Sequence, residues 1–304
     1  MEEFMKPVVF ALPIAFALAI GVASGAHAEN ALPSPESTQY QPSVGQPGKD
    51  VVWVPTPDAL VAEMLHMAKV GSNDYVMDLG SGDGRIAIAA AKDFGARATG
   101  IEYNPELVTL SNANARKAGV ADKVKFIKAD LFETDFSKAD VITMYLLPKI
   151  NLELRPKLLT LRPGVRVVSH AFNMDDWKPD QTARAGDRYA YLWIVPAKVS
   201  GNWKVNVGKE QLEVTLDQKY QMLSGRARSG KEGFDIVEGR VNGEEVRFVM
   251  SGAKGERREF QGRFKDKRLE GTVIQTAGGK AISWTAVRAM EHKAQRAALS
   301  TTTQ

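Results

Sequence analysis

The sequence predicts an open, mostly parallel α/β sheet followed by a small all-β barrel or sandwich, and three observations carry that prediction. Strand-like apolar runs alternate with helical patterns between Tyr75 and Val195. A glycine turn, Gly80-Ser-Gly-Asp-Gly84, joins the first of these strands directly to a helix. From about residue 199 the helical periodicity stops, and short apolar runs alternate with turn-rich pieces.

The opening strand is Tyr75 to Leu79. Val76 and Met77 supply apolar bulk, Asp78 stands where the strand runs out, and a helix is expected from Asp83 to Lys92 with its N-terminus towards a ligand. A dinucleotide needs the longer G-x-G-x-x-G spacing. Here the spacing is G-x-G-x-G with acids at Asp78 and Asp83, which repel phosphate and suit a ligand with a cationic centre and an amino-acid end.

A second strand, Ala96 to Ile101, ends at Glu102, and Asn104 and Pro105 then read as the N-cap and first position of the next helix. A carboxylate at that strand end, about 20 residues after the glycine turn, has the position that accepts ribose hydroxyls in nucleotide-binding folds. The third strand, Val124 to Lys128, ends in Ala129-Asp130-Leu131, where Asp130 is positioned to accept from an adenine amino group. The fourth, Asp140 to Tyr145, ends in Leu146-Leu-Pro148. Four strand ends on one sheet edge place the ligand outside the carboxyl ends of the strands.

The flanking segments complete this unit, expected over residues 51–198. Trp53-Val-Pro-Thr-Pro57 precedes a helix with Leu60, Val61, Met64, Leu65 and Ala68 at helical spacing, and serves either as a stiff flap over the ligand or as a domain entry. Lys149 to Leu161 reads as a helix bent or restarted at Pro156. A fifth strand, Val165 to Ser169, leads to His170 and on to Trp177-Lys-Pro179, and the run Tyr189 to Val195 closes the sheet.

In the second half, runs at Leu212–Leu216, Tyr220–Ala227, Phe234–Val241, Glu245–Met250, Glu259–Phe264, Leu269–Gln275 and Ala281–Val287 predict seven or eight antiparallel strands over residues 199–290. Asn242-Gly243 is a hairpin signal, and Gly225, Gly239, Gly262 and Gly271 are candidate bends that let a sheet close. This part holds no catalytic cluster. Residues 291–304 are expected as a disordered tail.

Composition bounds the chemistry. The 304 residues include no cysteine and four scattered histidines, which removes disulfides and thiolate sites and gives no basis for a metal centre. The net charge of +4 is spread without a basic block, so no nucleic-acid partner is expected. Residues 1–28 read as a signal peptide: Lys6 precedes the apolar run Val8 to Val22, followed by Ala26-His-Ala28. A periplasmic or secreted location is expected, with an uncleaved membrane anchor as the alternative. Residues 29–50, rich in Pro, Ser, Gln and Gly, read as a flexible linker.

Val54-Pro-Thr-Pro57, Asp78-Leu-Gly-Ser-Gly-Asp-Gly-Arg85, Glu102-Tyr-Asn-Pro105, Ala129-Asp-Leu131, Tyr145-Leu-Leu-Pro148, Arg166-Val-Val-Ser169 and Trp177-Lys-Pro179 occur together and in order. Their combination resembles the Rossmann-like class I S-adenosylmethionine-dependent methyltransferases. It looks most like the family containing the mitochondrial lysine methyltransferases that act on the ATP synthase c-subunit and the adenine nucleotide translocase. The likeness covers about residues 51–195. It implies S-adenosyl-L-methionine as cofactor, with Gly80, Gly82 and Gly84 facing its methionine part, Glu102 its ribose and Asp130 its adenine. Asp78, Ser81, Tyr103, Asn104 and Leu131 complete the implied cofactor set.

The implied reaction is in-line transfer of a methyl group to a lysine of a protein, with a small membrane protein as candidate partner. Tyr145 is the first candidate for positioning the acceptor and His170 a candidate base, with Trp53 and Trp177 as weaker aromatic candidates. A small-molecule or lipid acceptor is the first alternative. A non-catalytic secreted binding protein on the same scaffold is the second.

Overall fold

The structure is a computed structural model that describes residues 40–275 and 279–289. The expected signal peptide, most of the linker and the expected tail lie outside those residues. Among the described residues, no helix is long and apolar enough to cross a membrane.

The α/β unit opens with helix α1 (Asp58–Met67), whose Leu60, Val61, Met64, Leu65 and Met67 are buried. Strand β1 (Tyr75–Leu79), helix α2 (Arg85–Phe94), strand β2 (Arg97–Glu102), helix α3 (Pro105–Lys117) and strands β3 (Val124–Lys128) and β4 (Val141–Met144) follow. Helix α4 (Pro148–Leu158), strand β5 (Arg166–His170) and the hairpin β6 (Gln181–Ala185) and β7 (Arg188–Ile194) complete it. The sheet order is β3-β2-β1-β4-β5-β7-β6, with β7 antiparallel to β5 and the five preceding strands parallel. The order reverses between β1 and β4, which is where such sheets open a crevice at their carboxyl edge.

Local chemistry sets the element boundaries. Helix α2 begins at Arg85 rather than at the expected Asp83, because Gly84 has the left-handed φ of 85° and helical backbone can start only after it. Helix α3 is capped as read, since Asn104 Oδ1 accepts from the Glu106 N–H at 2.8 Å and Pro105 follows. Helix α4 runs through Pro156 without restarting. Pro156 lies in the last turn, where little of the ladder remains to be lost, and buried Leu154 and Leu158 fasten that turn to the core. Strand β6 escaped the sequence reading because its residues are small and polar, yet Gly186-Asp187 folds it onto β7.

Two apolar layers sandwich this sheet. One lies under α1, α2 and α3 around Leu60, Ala87 and Phe126. The other lies under α4 and the loop after β5, around Leu79, Ile142, Leu154, Trp177 and Trp193.

The second half is a closed eight-stranded antiparallel barrel, which settles the choice between barrel and sandwich. Its strands are β8 (Gly201–Val207), β9 (Glu210–Lys219), β10 (Met222–Ser229), β11 (Glu232–Asn242), β12 (Glu245–Gly252), β13 (Arg257–Lys265), β14 (Arg268–Ile274) and β15 (Ile282–Arg288). Strand β8 is the one missing from the seven apolar runs, and it pairs with both β9 and β15 to close the ring. Register shifts fall at Gly225 and Gly239, while Gly262 and Gly271 face each other across β13 and β14. The interior is filled by Trp203, Trp284, Phe248, Phe260 and aliphatic side chains, and Lys204, Glu213, Arg226, Arg247 and Glu270 face outwards. That polarity is the reverse of a lipid-facing barrel.

Candidate cofactor cleft

The crevice at the carboxyl edge of β1, β2 and β4 encloses about 970 Å³, including open solvent at its mouth. Its walls bring together the ends of four strands with a segment from the N-terminal side. Asp78, Gly80, Ser81, Gly82, Glu102, Tyr103, Asn104, Asp130, Leu131 and Tyr145 all line it, as the sequence reading grouped them.

Asp78 is the chemical centre of this wall. It is 2% exposed and its Oδ1 accepts from Thr143 Oγ1 at 2.7 Å. Burial pushes its carboxyl up to about 7, the Thr143 hydrogen bond opposes that rise, and the Asp83 and Glu102 carboxylates add to it. A buried carboxyl in this condition gains from a cation placed beside it.

Glu102 is held from two sides. One oxygen accepts from the Gly82 N–H at 2.9 Å and the other from the Asn104 N–H at 2.9 Å, which ties the glycine turn to the end of β2. Each oxygen keeps a lone pair for a hydroxyl donor. Asp83 turns to Arg85, whose guanidinium also donates to the Thr56 carbonyl at 2.9 Å. Ser81 Oγ is buried without a partner and lies 2.5 Å from where a Cβ on Gly100 would stand, so the hydroxyl points to β2.

The glycines divide into two roles. Gly82 has φ 55°, and a Cβ there would stand 2.7 Å from Trp53 Nε1, so the missing side chain lets the indole lie across the turn. Gly84 corrects the expectation that all three glycines face the ligand. A Cβ on it would meet Phe126 and the Ser111 Cβ at 2.5 to 2.8 Å, and Gly84 does not line the cleft. Its smallness lets α2 close onto the sheet and α3.

The Pro-Thr-Pro segment is part of the site. Val54, Pro55 and Thr56 line the cleft, and Thr56 is buried between Arg85 on one side and His170 on the other. The segment before it extends the wall. Pro47 and Val52 form a β-bridge, Trp53 N–H donates to the Gln46 carbonyl at 2.9 Å, and residues 46–53 all line the cleft. Lys49 pairs with Asp130 and lies 4.9 Å above the Tyr103 ring. Residues 46–50, expected as linker, thus form part of the cleft wall. Gln46-Pro-Gly-Lys49 is a turn sequence within the stretch expected as linker, and its polar composition gave no sign of the contact.

At the β4 end of the cleft, Tyr145 is half-buried and stacks on His170 with ring centroids 3.7 Å apart. His170 is fully buried behind that ring and does not line the cleft. Its Nδ1 is hydrogen-bonded to Thr56 Oγ1 at 3.0 Å, its Nε2 has no partner, and burial followed by the Arg188 charge lowers its pKa to about 4. The imidazole is therefore neutral at physiological pH and packs on Tyr145, which lines the cleft. Trp177 is fully buried against Trp193 and Tyr220, away from the cleft, whereas Trp53 stands in its wall.

Asn151, absent from the sequence expectations, stands outside the cleft lining and supports the loop that follows β5. Fully buried on α4, it donates to the Phe172 carbonyl at 3.1 Å and to Ser169 Oγ at 3.2 Å. It thereby holds a γ-turn in which the Phe172 N–H bonds the His170 carbonyl at 2.8 Å and Ala171 takes φ 64°. Such a turn is strained for alanine and needs this support.

A family model described as the ANTKMT methyltransferase domain matches residues 78–181, from the end of β1 to the start of β6. The protein-lysine N-methyltransferase of Saccharolobus islandicus (strain REY15A) is 44% identical over 151 residues, covering 48% of this chain and 94% of that protein. The Mus musculus lysine N-methyltransferase named for the ATP synthase c-subunit is 34% identical over 181 residues, covering 58% of this chain and 72% of that protein. The crystal structure of an RNA methyltransferase from Salinibacter ruber in complex with S-adenosyl-L-homocysteine shares 50% identity, covering 48% of this chain and 96% of that chain, with a TM-score of 0.47. By its identity to relatives matched over most of their own length, the chain belongs to the methyltransferase family that contains these lysine N-methyltransferases.

Proposed function

We propose that this protein transfers a methyl group from S-adenosylmethionine to the side-chain amine of a protein lysine. The observation that carries the reading is the Asp78 carboxyl, buried in the wall of the cleft beside the glycine turn and raised to about 7 by that burial. The cofactor supplies an already activated methyl on a sulfonium, with an ammonium at its amino-acid end. The chain's own residues bind, orient and exclude water.

In this reading Asp78 receives the ammonium and ionises, and the Gly80 to Gly82 backbone leaves room for the methionine part. Glu102 takes the ribose hydroxyls. Asp130 takes the adenine amino group once Lys49 yields, and Tyr103 and Leu131 border the base. Tyr145, fixed by its stack on His170, forms the wall against which the acceptor amine lies. A lysine must lose its proton to attack, from a reference pKa of about 10.4, and an apolar, aromatic channel lowers that value by withholding water.

The favoured acceptor is a protein lysine, since relatives are named for lysine methylation of the ATP synthase c-subunit and the adenine nucleotide translocase, and a small membrane protein is the partner we favour. The proposed organisation is an exported protein with residues 51–198 as the catalytic domain and 199–290 as a second domain. Calorimetric titration with S-adenosylmethionine and S-adenosylhomocysteine tests the cofactor, with micromolar binding expected. Transfer of labelled methyl to membrane-protein fractions then tests the acceptor. Folded protein that binds neither compound would end the proposal.

A further inference from the structure

The barrel meets the α/β unit at two hairpin ends, β11–β12, where Gly243 lies against Gly164 and Ile194, and β9–β10, whose tip is built against the usual rules. A two-residue turn favours glycine or asparagine and faces water. Here it is Tyr220-Gln221, with Tyr220 at φ 54° and Gln221 buried at 3% exposure. A left-handed tyrosine and a buried glutamine at a hairpin tip are costly unless the contact they make compensates.

That contact is the loop 171–180, which leaves the carboxyl end of β5. The Tyr220 hydroxyl donates to Asp176 Oδ1 at 2.9 Å, and Lys219 pairs with Asp176 Oδ2 at 3.2 Å. The Tyr220 ring stacks on Trp177 with centroids 5.9 Å apart. Gln221 Nε2 donates to the Lys178 carbonyl at 2.7 Å, and Arg240 of β11 pairs with Asp180. From the other side, α4 holds the same loop through Arg155 on Asp176 and the Met174 carbonyl, and through Asn151 on the Phe172 carbonyl. The clamped loop carries Phe172, whose ring faces Tyr145 at 6.2 Å and 24°.

We propose that the barrel is a brace for the acceptor side of the site, with Tyr220 a positioning residue. Through Asp176 and Trp177 it fixes the loop that sets Phe172 against Tyr145. The inference rests on the reading of Tyr145 as the acceptor wall, and it gives the barrel a role in acceptor binding rather than in cofactor binding.

The test uses the full chain and three variants. Tyr220→Gly suits the left-handed turn better than tyrosine, so the hairpin itself is retained while the loop loses its anchor. Amide hydrogen exchange at residues 172–178 is expected to rise about tenfold while strands β8 to β15 stay protected. With poly-L-lysine as acceptor, KM is expected to rise by about tenfold, with kcat and the affinity for S-adenosylmethionine within about twofold of wild type. Tyr220→Phe removes only the hydrogen bond to Asp176 and keeps the stack on Trp177, so it should give a smaller effect than Tyr220→Gly, whereas Asp176→Ala removes that bond together with the Lys219 and Arg155 pairs and should loosen the loop more than Tyr220→Phe does.

Unchanged loop exchange in Tyr220→Gly would overturn the brace, and so would loss of protection throughout the barrel, which would assign Tyr220 to the fold alone. Unchanged KM for poly-L-lysine despite a loosened loop would overturn its link to the acceptor. A wild-type chain that neither binds S-adenosylmethionine nor methylates poly-L-lysine would refute the methyltransferase reading, while the exchange measurement would still decide the brace.

Discussion

Replacing Asp78 by Asn should stabilise the cofactor-free protein at pH 8 and at the same time remove most of its affinity for S-adenosylmethionine. The folded carboxyl sits at about 7 against an ordinary 3.8, which corresponds to about 4 kcal/mol at 1.36 kcal/mol per pH unit. Because the folded value is raised, the contribution to stability is full below pH 4 and is lost as pH rises through 7. Asparagine keeps an oxygen for the Thr143 hydroxyl and has no ionisation to suppress. The advantage of Asp78→Asn over wild type should therefore grow by about 2 to 3 kcal/mol between pH 5 and pH 8. Urea unfolding of both proteins at the two pH values measures it, and comparison at each pH cancels the titration of all other groups. Added S-adenosylmethionine should reverse the order, since its ammonium returns the wild-type carboxyl to the ionised state. By the same linkage, wild-type affinity for the cofactor should fall as pH drops below 7. An advantage that is equal at pH 5 and pH 8, or an Asp78→Asn variant that binds the cofactor like wild type, would refute the reasoning.

Three further outcomes are expected. Glu102→Gln should weaken S-adenosylmethionine binding by about 1 to 3 kcal/mol in calorimetry, through loss of charge-assisted hydrogen bonds; an unchanged dissociation constant would remove the ribose assignment. Gly84→Ala should lower stability by about 2 to 4 kcal/mol in urea unfolding, because its methyl meets Phe126 and Ser111 and its φ is left-handed. A variant as stable as wild type would show that helix α2 does not need that close approach. Tyr145→Phe retains the stack on His170 and loses only the hydroxyl, so turnover should fall more than cofactor affinity does, and equal turnover in a methyl-transfer assay would leave Tyr145 as wall alone.

Much of the cofactor cleft was legible because its determinants are local. A strand that ends in Asp78, a turn of glycines and an Asn104 cap each depend on a few neighbouring residues, and the parallel sheet then brings Glu102, Asp130 and Tyr145 to one edge without further information. The barrel was legible for a similar reason, since alternating apolar residues and turn glycines repeat along its strands. Strands β6 and β8 were not, because β6 is small and polar and the short β8 fell outside the apolar runs counted from Leu212.

The sequence by itself determined the fold class, the ligand edge and the acids along it, since strand periodicity, turn chemistry and strand ends are properties of short stretches. Tertiary structure alone decided which glycine faces the cleft and which packs against Phe126, because that depends on what lies opposite in space. It also decided that Lys49 reaches Asp130, that His170 is sealed behind Tyr145, and that a tyrosine 44 residues further along the chain anchors Asp176. These are contacts between residues far apart in the chain. They exist because burial and charge pairing are settled only when the whole chain has closed.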